Sequence, residues 1–593
     1  MRNFFEGRLR GALMLLAIGG LSVGVAACGG GSSNKSSTSG GQPAANAKKG
    51  GTLHILSNGD VDYVDPGAAY YQFTFIMSYA TQRPLFSYKP TDEKATPDLA
   101  AGPAQVSDGG KTITIKIKPG VKFSPPVNRA VTSKDVKYAI ERGFNSTVAN
   151  GYAGAYFGDL VGADAAKKGK GAPISGITTP DNQTIVFKLS KPNANNVVGA
   201  LSLPLSAAVP AEYAKKFDKK NPSSYGQNQV ATGPYMIKNN SSGKATGYEP
   251  GKRITLVRNP NWDKSTDYRP AYLDSIVFDE GNADAVSASR RILQGSDLAN
   301  GQADFNIPPQ ILKQASQGAT KAQLIRGVST GRVRYISLNT TIKPFDNPNV
   351  RKAVSAIVDR NAMRLAMGGP VAGDIPTHFL PPGIPGFDQA GGMQGPGNDW
   401  LAKPQGDPAL AAEYMKKGGY PSGKYTGSQK FLMVADDSGP SAKAALVAQA
   451  SLQKLGFKLN FRQVPHDTMY TKFCNVPKSK VAICPSTGWQ KDFPDPQSML
   501  DPTFNGKNIV PVNNSNWPQL NDSAVNAALE KAAPITDPTQ RAQAYGNIDK
   551  QITALAPGVP WLWDKATGIE SKNVNGVLNK FNAAWDLSYT SLK

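Results

Sequence analysis

Histidine and cysteine are scarce, with three of each in 593 residues. His54, His378 and His466 lie far apart in sequence and show no carboxylate–His pattern at metal-ligand spacing, so neither a metal centre nor a catalytic triad finds support. No cofactor is expected. Beyond residue 25 no further run of about 18 apolar residues occurs, which leaves no second candidate for a membrane span. A Walker A pattern is missing, so ATP hydrolysis is not expected of this chain. Acidic residues are also short: 44 Asp and Glu against 66 Lys and Arg give a formal charge of +22. The cationic residues are dispersed, with no Arg-rich block and no aromatic RNA-binding signature, which discounts nucleic acid as a partner. A surface suited to anionic lipid, or a basic surface with no further role, remains.

What is present begins with an address. Arg2, Arg8 and Arg10 precede an apolar run, Gly11 to Val25, too short for the roughly 20 residues of a membrane helix. A basic start, an apolar middle and small residues at the end are the layout of a secretory signal. The end, Val25-Ala26-Ala27-Cys28-Gly29, resembles the bacterial lipobox, in which the cysteine is lipidated and becomes the new N-terminus; cleavage by ordinary signal peptidase is the alternative. Residues 1–27 are therefore expected to be a lipoprotein signal peptide. Residues 28–50, rich in Gly, Ser and Asn, are expected to be a flexible linker. The 566 residues after position 27, with charge +20, are too many for one hydrophobic core, so at least two lobes are expected. With Cys28 lipidated, Cys474 and Cys484 are left in an oxidising compartment. Their spacing suits a disulfide, worth roughly 3 kcal/mol in the chain-entropy model, and not a zinc site.

Several elements follow from periodicity. Thr112–Lys118 alternates strictly, with Ile113, Ile115 and Ile117 on one face of a strand. Thr132-Ser133-Lys134-Asp135 resembles a capping box ahead of a helix bearing Val136, Ala139 and Ile140. Residues 51–56, 184–189, 231–237, 253–260 and 333–339 read as strands. Asn347 is expected to cap a helix with Pro348 at its first position, and Val350, Ala353, Val354, Ile357 and Val358 form its buried face. Further helices are expected over 442–455, 524–533 and 539–555, with a strand over 557–563. The aromatics Tyr70, Tyr71, Phe73, Phe75 and Tyr79 are explained by a helix packing into its core. Gly327-Val328-Ser329-Thr330-Gly331 fits the G-x-S-x-G nucleophile elbow, but that motif needs a helix after the turn. A strand follows here, so an inter-lobe connector is expected, with a secreted hydrolase using Ser329 as a remote alternative.

Gly488–Pro496 (GWQKDFPDP) gathers a Trp, a Phe, two Pro and charged residues beside the short cysteine loop. Pro494 and Pro496 exclude a helix interior. Asp492 can pair with a cationic ligand group beside an aromatic wall; equally, these Asp residues can cap turns on a surface loop.

In order along the chain, these segments resemble the bacterial solute-binding proteins of the dipeptide and oligopeptide transporter class. The resemblance rests on Thr96–Ala100, Ser107–Gly110, Pro119–Phe123, Thr132–Val136, Ala139–Arg142, Thr232–Tyr235 and Arg258–Trp262. Leu338–Thr340, Pro344–Asn347, Val350–Ala353, Asp359-Arg360 and Leu410–Gly423 continue it. Ser124-Pro125-Pro126 departs from the family's usual His-Asp-Gly turn. The resemblance implies an α/β, two-lobed periplasmic-binding-protein-like (Venus-flytrap) fold with an inserted subdomain. Residues 51–85, 225–330 and 563–593 would form lobe I, 86–224 the insertion and 331–562 lobe II.

The resemblance also implies a function. A non-enzymatic, extracytoplasmic lipoprotein would capture peptides in a cleft and deliver them to an ABC importer permease with cytoplasmic ATPase subunits. The protein would be a monomer held at the membrane by its lipid anchor. Carried over by residue, Gly488 and Gln490 would offer backbone to the ligand, Trp489 an apolar wall and Asp492 a carboxylate for its α-ammonium. Phe493 stands where Tyr is common. Tyr71 and Asn339 complete the expected ligand-binding set. An oligosaccharide, a chelated metal, an opine or a signalling peptide in the same fold is the alternative.

Overall fold

The computed structural model describes residues 47–57, 61–92, 94–148, 150–169, 171–511, 513–582 and 584–593. The expected signal peptide, Cys28 and most of the expected linker lie outside the described residues. No helix among those described is long and apolar enough to cross a membrane.

Lobe I is built on a mixed sheet. Thr52–Ser57 runs parallel to Ser275–Asp279 on one side and to Gly301–Asp304 on the other, and Arg253–Arg258 pairs antiparallel with Ser275–Asp279. Leu53, Ile55, Ile254, Leu256, Ile276 and Phe278 fill one core beneath the helix Gln72–Thr81, which contributes Phe73, Ile76, Met77 and Ala80. Lys48 bridges to Leu592, so the chain enters lobe I beside the place where its last strand, Ser591–Leu592, lies.

The inserted subdomain carries a four-stranded antiparallel sheet, ordered 105–107, 112–116, 184–188, 177–181. Ile113 and Ile115 are fully buried, as the alternation requires. The helix Ser133–Arg142 begins with the complete capping box, Thr132 with Asp135. Its Arg142 is buried between Asp65 of lobe I and Asp218, which ties the insertion to its parent lobe.

Lobe II holds a six-stranded sheet ordered 373–374, 558–569, 324–338, 483–490, 430–436, 458–464. Asn347 accepts from the Asn349 amide at the head of Pro348–Ile357, and the predicted face of that helix is buried. Two long strands belong to both lobes. Leu324–Leu338 and Gly558–Ile569 run antiparallel from Leu324↔Ile569 to Ser337↔Gly558. Leu324, Ile325, Ala566 and Ile569 pack in lobe I, whereas Ile336, Leu338, Val559 and Trp561 pack in lobe II. Register shifts between Arg326 and Val333 mark the crossing. The first of these strands starts well before the expected 333–339, because Gly327, Ser329, Thr330 and Gly331 hide the alternation. Pro496–Phe504 is a helix with Pro496 at its first turn and Asp495 capping it. The prolines that bar a helix interior therefore mark a helix start, the one place where the missing amide costs nothing.

Candidate functional site

The stretch around Asp492 lies where lobe II meets both lobe I and the insertion. Ile483–Gln490 pairs with 332–338 along one side. On its other side it pairs with 430–436 only at Met433↔Ile483. Pro485 has no amide to continue that ladder, and Thr487–Gln490 runs on past Asp436, the last residue of the neighbour strand. Just after Gln490 the chain leaves the sheet and delivers Lys491, Asp492 and Phe493 to the other half of the molecule.

Phe493 is inserted into the insertion's own core, edge-on to Tyr156 at 5.2 Å between ring centroids. It lies against Gly199, where a Cβ would stand 2.4 Å from the ring, so only glycine fits beneath it. Asp492 is 8 % exposed. Its carboxylate accepts hydrogen bonds from the phenols of Tyr156 and Tyr70, the latter at 3.2 Å. Among the described residues no Lys, Arg or His forms an ion pair with it. Burial pushes its pKa up to about 7, against a smaller lowering by the two phenols. The same burial, with the carboxylate beside them, drives both phenols well above the ordinary tyrosine range. Tyr152 completes the aromatic wall, 4.9 Å from Tyr70 and 6.1 Å from Tyr156 between centroids. A buried carboxylate with neutral donors only can take a cation, since an ammonium beside it would relieve its desolvation.

The other expected residues divide. Gln490 reaches across the lobes: its Oε1 accepts from Arg332 at 2.6 Å and its Nε2 donates to the Asn582 carbonyl at 3.0 Å. The Gly488 amide donates to the Tyr470 hydroxyl at 3.2 Å. Trp489 packs in the lobe II core, its indole N–H donating to the Ser498 carbonyl at 2.8 Å. Tyr71 precedes the helix Gln72–Thr81, and its amide donates to Asp62; the neighbouring Tyr70 is the residue that reaches Asp492. Asn339 is not brought to this site. It donates to the Val481 carbonyl and accepts from Thr341. That position is the far end of the 483–490 strand, about 25 Å from Gln490 at 3.3 Å per residue. Cys474 and Cys484 form a disulfide near it. Sequence reasoning did not reach Tyr70 or Tyr156. Tyr70 stood in the aromatic stretch. Tyr156 sits on a short helix, Ala153–Phe157, in a Gly- and Tyr-rich run that resembles a loop.

Ser329 lies in the crossing strand, its hydroxyl accepting from the Gly331 amide. No helix follows it. The three histidines each bond an aspartate of their own locale: Asp279, Asp549 and Asp436. No group of three or more metal-ligating side chains occurs among the described residues.

The family of bacterial extracellular solute-binding proteins, family 5, matches residues 94–510 through its middle region. The chain is a family 5 solute-binding protein. Heme-binding protein A of Haemophilus influenzae is 26% identical over 485 residues, covering 80% of each chain. A dipeptide-binding protein of Pseudomonas aeruginosa is 25% identical, covering 90% of this chain and 93% of its own. Among solved structures, clavulanic acid biosynthesis oligopeptide binding protein 2 superposes with a TM-score of 0.78 at 25% identity, covering 92% of this chain and 96% of that one. The periplasmic binding protein DppA of Helicobacter pylori, in complex with the peptide STSA, has a TM-score of 0.73 at 20% identity and covers 92% and 98%. The two-lobed α/β fold is thus that of the periplasmic binding proteins. As a member of this family the chain is a transport binding protein outside the cytoplasm, and not an enzyme.

Proposed function

We propose that this family 5 protein captures peptides in the cleft between its lobes and presents them to an ABC importer permease, with Cys28 carrying a lipid that holds it at the membrane. The observation that carries this reading is the Asp492 carboxylate, buried between the lobes with two phenols and no cation. A peptide's α-ammonium is the complementary group. The stretch Thr487–Gln490, which runs past the end of its neighbour strand on that side, supports strand-like pairing with a ligand main chain, which gives affinity without reading side chains. Peptide-binding relatives agree with it.

A second reading, a non-peptide ligand in the same cleft, is favoured by one detail. The Gly488 amide is already taken by the Tyr470 hydroxyl, so main-chain pairing at Gly488 requires that hydroxyl to leave. Relatives named for heme and glutathione show that family members differ in cargo.

Native mass spectrometry of the protein purified without refolding separates the two readings. A ladder of adducts in the dipeptide to pentapeptide range, lost in Asp492→Ala, is the expected result. A single non-peptidic adduct keeps the fold and overturns the peptide.

A further inference from the structure

Lys491, beside Asp492, carries a half-buried charge that the amine seat does not use. Its ammonium donates to the Thr330 carbonyl at 2.9 Å. Among the described residues no carboxylate lies within ion-pair distance of it. Its nearest charged influence is another cation, Lys580. The seat is shaped by Gly331: a Cβ there would fall 2.6 Å from the Lys491 nitrogen, and the backbone has φ +71°, which favours glycine. On the same crossing strand Arg332 and Arg334 share one carboxylate, Asp564. Arg334 Nε lies 2.9 Å from both its oxygens, and Arg332 stands 3.5 Å away. Two guanidiniums therefore stand on the strand next to this ammonium, while Asp492 is occupied by phenols. Burial, with Lys580 beside it, pulls the Lys491 pKa down to about 7.

An ammonium partly shielded from water, with no carboxylate in reach, is stabilised when an anion arrives to meet it. We propose that Lys491, seated over Gly331 and backed by Arg332 and Arg334, is an anion subsite, and that the ligand class is the acidic peptide. This rests on the reading of Asp492 as the amine seat. Adjacent residues stand 3.8 Å apart at Cα, so the ligand's anionic group belongs close to its amine: a side-chain carboxylate on its first or second residue. The glycine that completes the G-x-S-x-G pattern thereby has a task in binding, making room for a lysine.

The test is calorimetric titration of the full chain in detergent with isosteric pairs, Glu-Ala-Ala against Gln-Ala-Ala and Ala-Glu-Ala against Ala-Gln-Ala. At least one acidic peptide should bind ten-fold or more tightly than its neutral twin. The preference should fall within two-fold in Lys491→Met and in Gly331→Ala, while the neutral peptides change less than three-fold. Equal affinity within both pairs for the wild type overturns the subsite and leaves the peptide reading standing. If none of the four binds, the peptide reading fails, and mass spectrometry of the protein as isolated decides the subsite. An acidic small molecule retained by the wild type and absent from Lys491→Met supports it. No acidic adduct, or equal retention, overturns it.

Discussion

Two regions of this molecule bury charge, and they treat it in opposite ways. Beneath the insertion, Arg83, Asp98, Asp267 and Arg269 are almost wholly buried and close on one another: Arg83 Nε is 2.7 Å from Asp98, Arg269 Nη1 is 2.9 Å from Asp267, and Arg269 also bonds Asp98. Burial works against Asp267, but Arg269 and Arg83 outweigh it and bring its pKa down to about 2. In the cleft, Asp492 is equally buried and is pushed up to about 7. The residue type and the burial are the same; only the partners differ. Charges that hold the fold arrive with their counter-charges, whereas the proposed amine seat has neutral donors only.

The strongest way to break this comparison is to remove one member of the paired set. Asp98→Ala leaves two arginines in the interior short of a carboxylate and should cost about 3–5 kcal/mol in urea unfolding. Asp492→Asn should do the reverse. It is expected to match the stability of the wild type at acid pH and to exceed it near pH 7, where the buried carboxylate of the wild type ionises, while amine-bearing ligands lose about 2–5 kcal/mol of affinity, read by calorimetry.

pH sharpens the contrast. Asp492 is raised in the fold, so between about pH 4 and 7 the folded protein holds a proton that the unfolded chain has released, and stability falls as pH rises through that window. Lys491 is lowered to about 7 from the ordinary 10.5, so above pH 7 the folded protein holds fewer protons, and stability rises again. Thermal unfolding of the ligand-free protein should therefore show a minimum near pH 7. Asp492→Asn should remove the acid limb and Lys491→Met the basic limb. Asp267 acts oppositely to Asp492: its contribution is present above pH 4 and is lost as pH falls through 2.

The smallest expected effect is at the phenols. Tyr156→Phe should cost the ligand-free protein about 1 kcal/mol and raise the Asp492 pKa further, seen as an acid limb that extends to higher pH. Tyr70→Phe, at the longer bond, should do less.

Much of this architecture was legible in the sequence where one rule dominates locally. The alternation of Ile113, Ile115 and Ile117, the box at Thr132 and Asp135, and the Asn347-Pro348 start each specify an element without reference to the rest of the chain. Asp492 was reachable for a different reason, through its resemblance to a family motif. Tyr156 was not, because it stands 336 residues from Asp492 and nothing local in a Gly-Tyr run says which ring will meet a carboxylate. Asn339 belongs to the expected set through the family resemblance, and it lies at the end of its strand remote from Asp492, bonded to Val481. Nothing in the sequence singles out Lys491; its half-buried seat depends on Gly331, which in the sequence stands out only as part of a hydrolase pattern.

The pairing of Lys48 with Leu592 also has an experimental consequence. A tether attached ahead of residue 48 and a tag appended after residue 593 would leave the same side of lobe I, close together. Fluorophores placed at the two ends would keep a fixed separation while the lobes move, giving a built-in zero. A probe pair that reports closure needs one dye on lobe II, for instance on the exposed face of Gly439–Lys454, whose Leu446 is 48 % exposed.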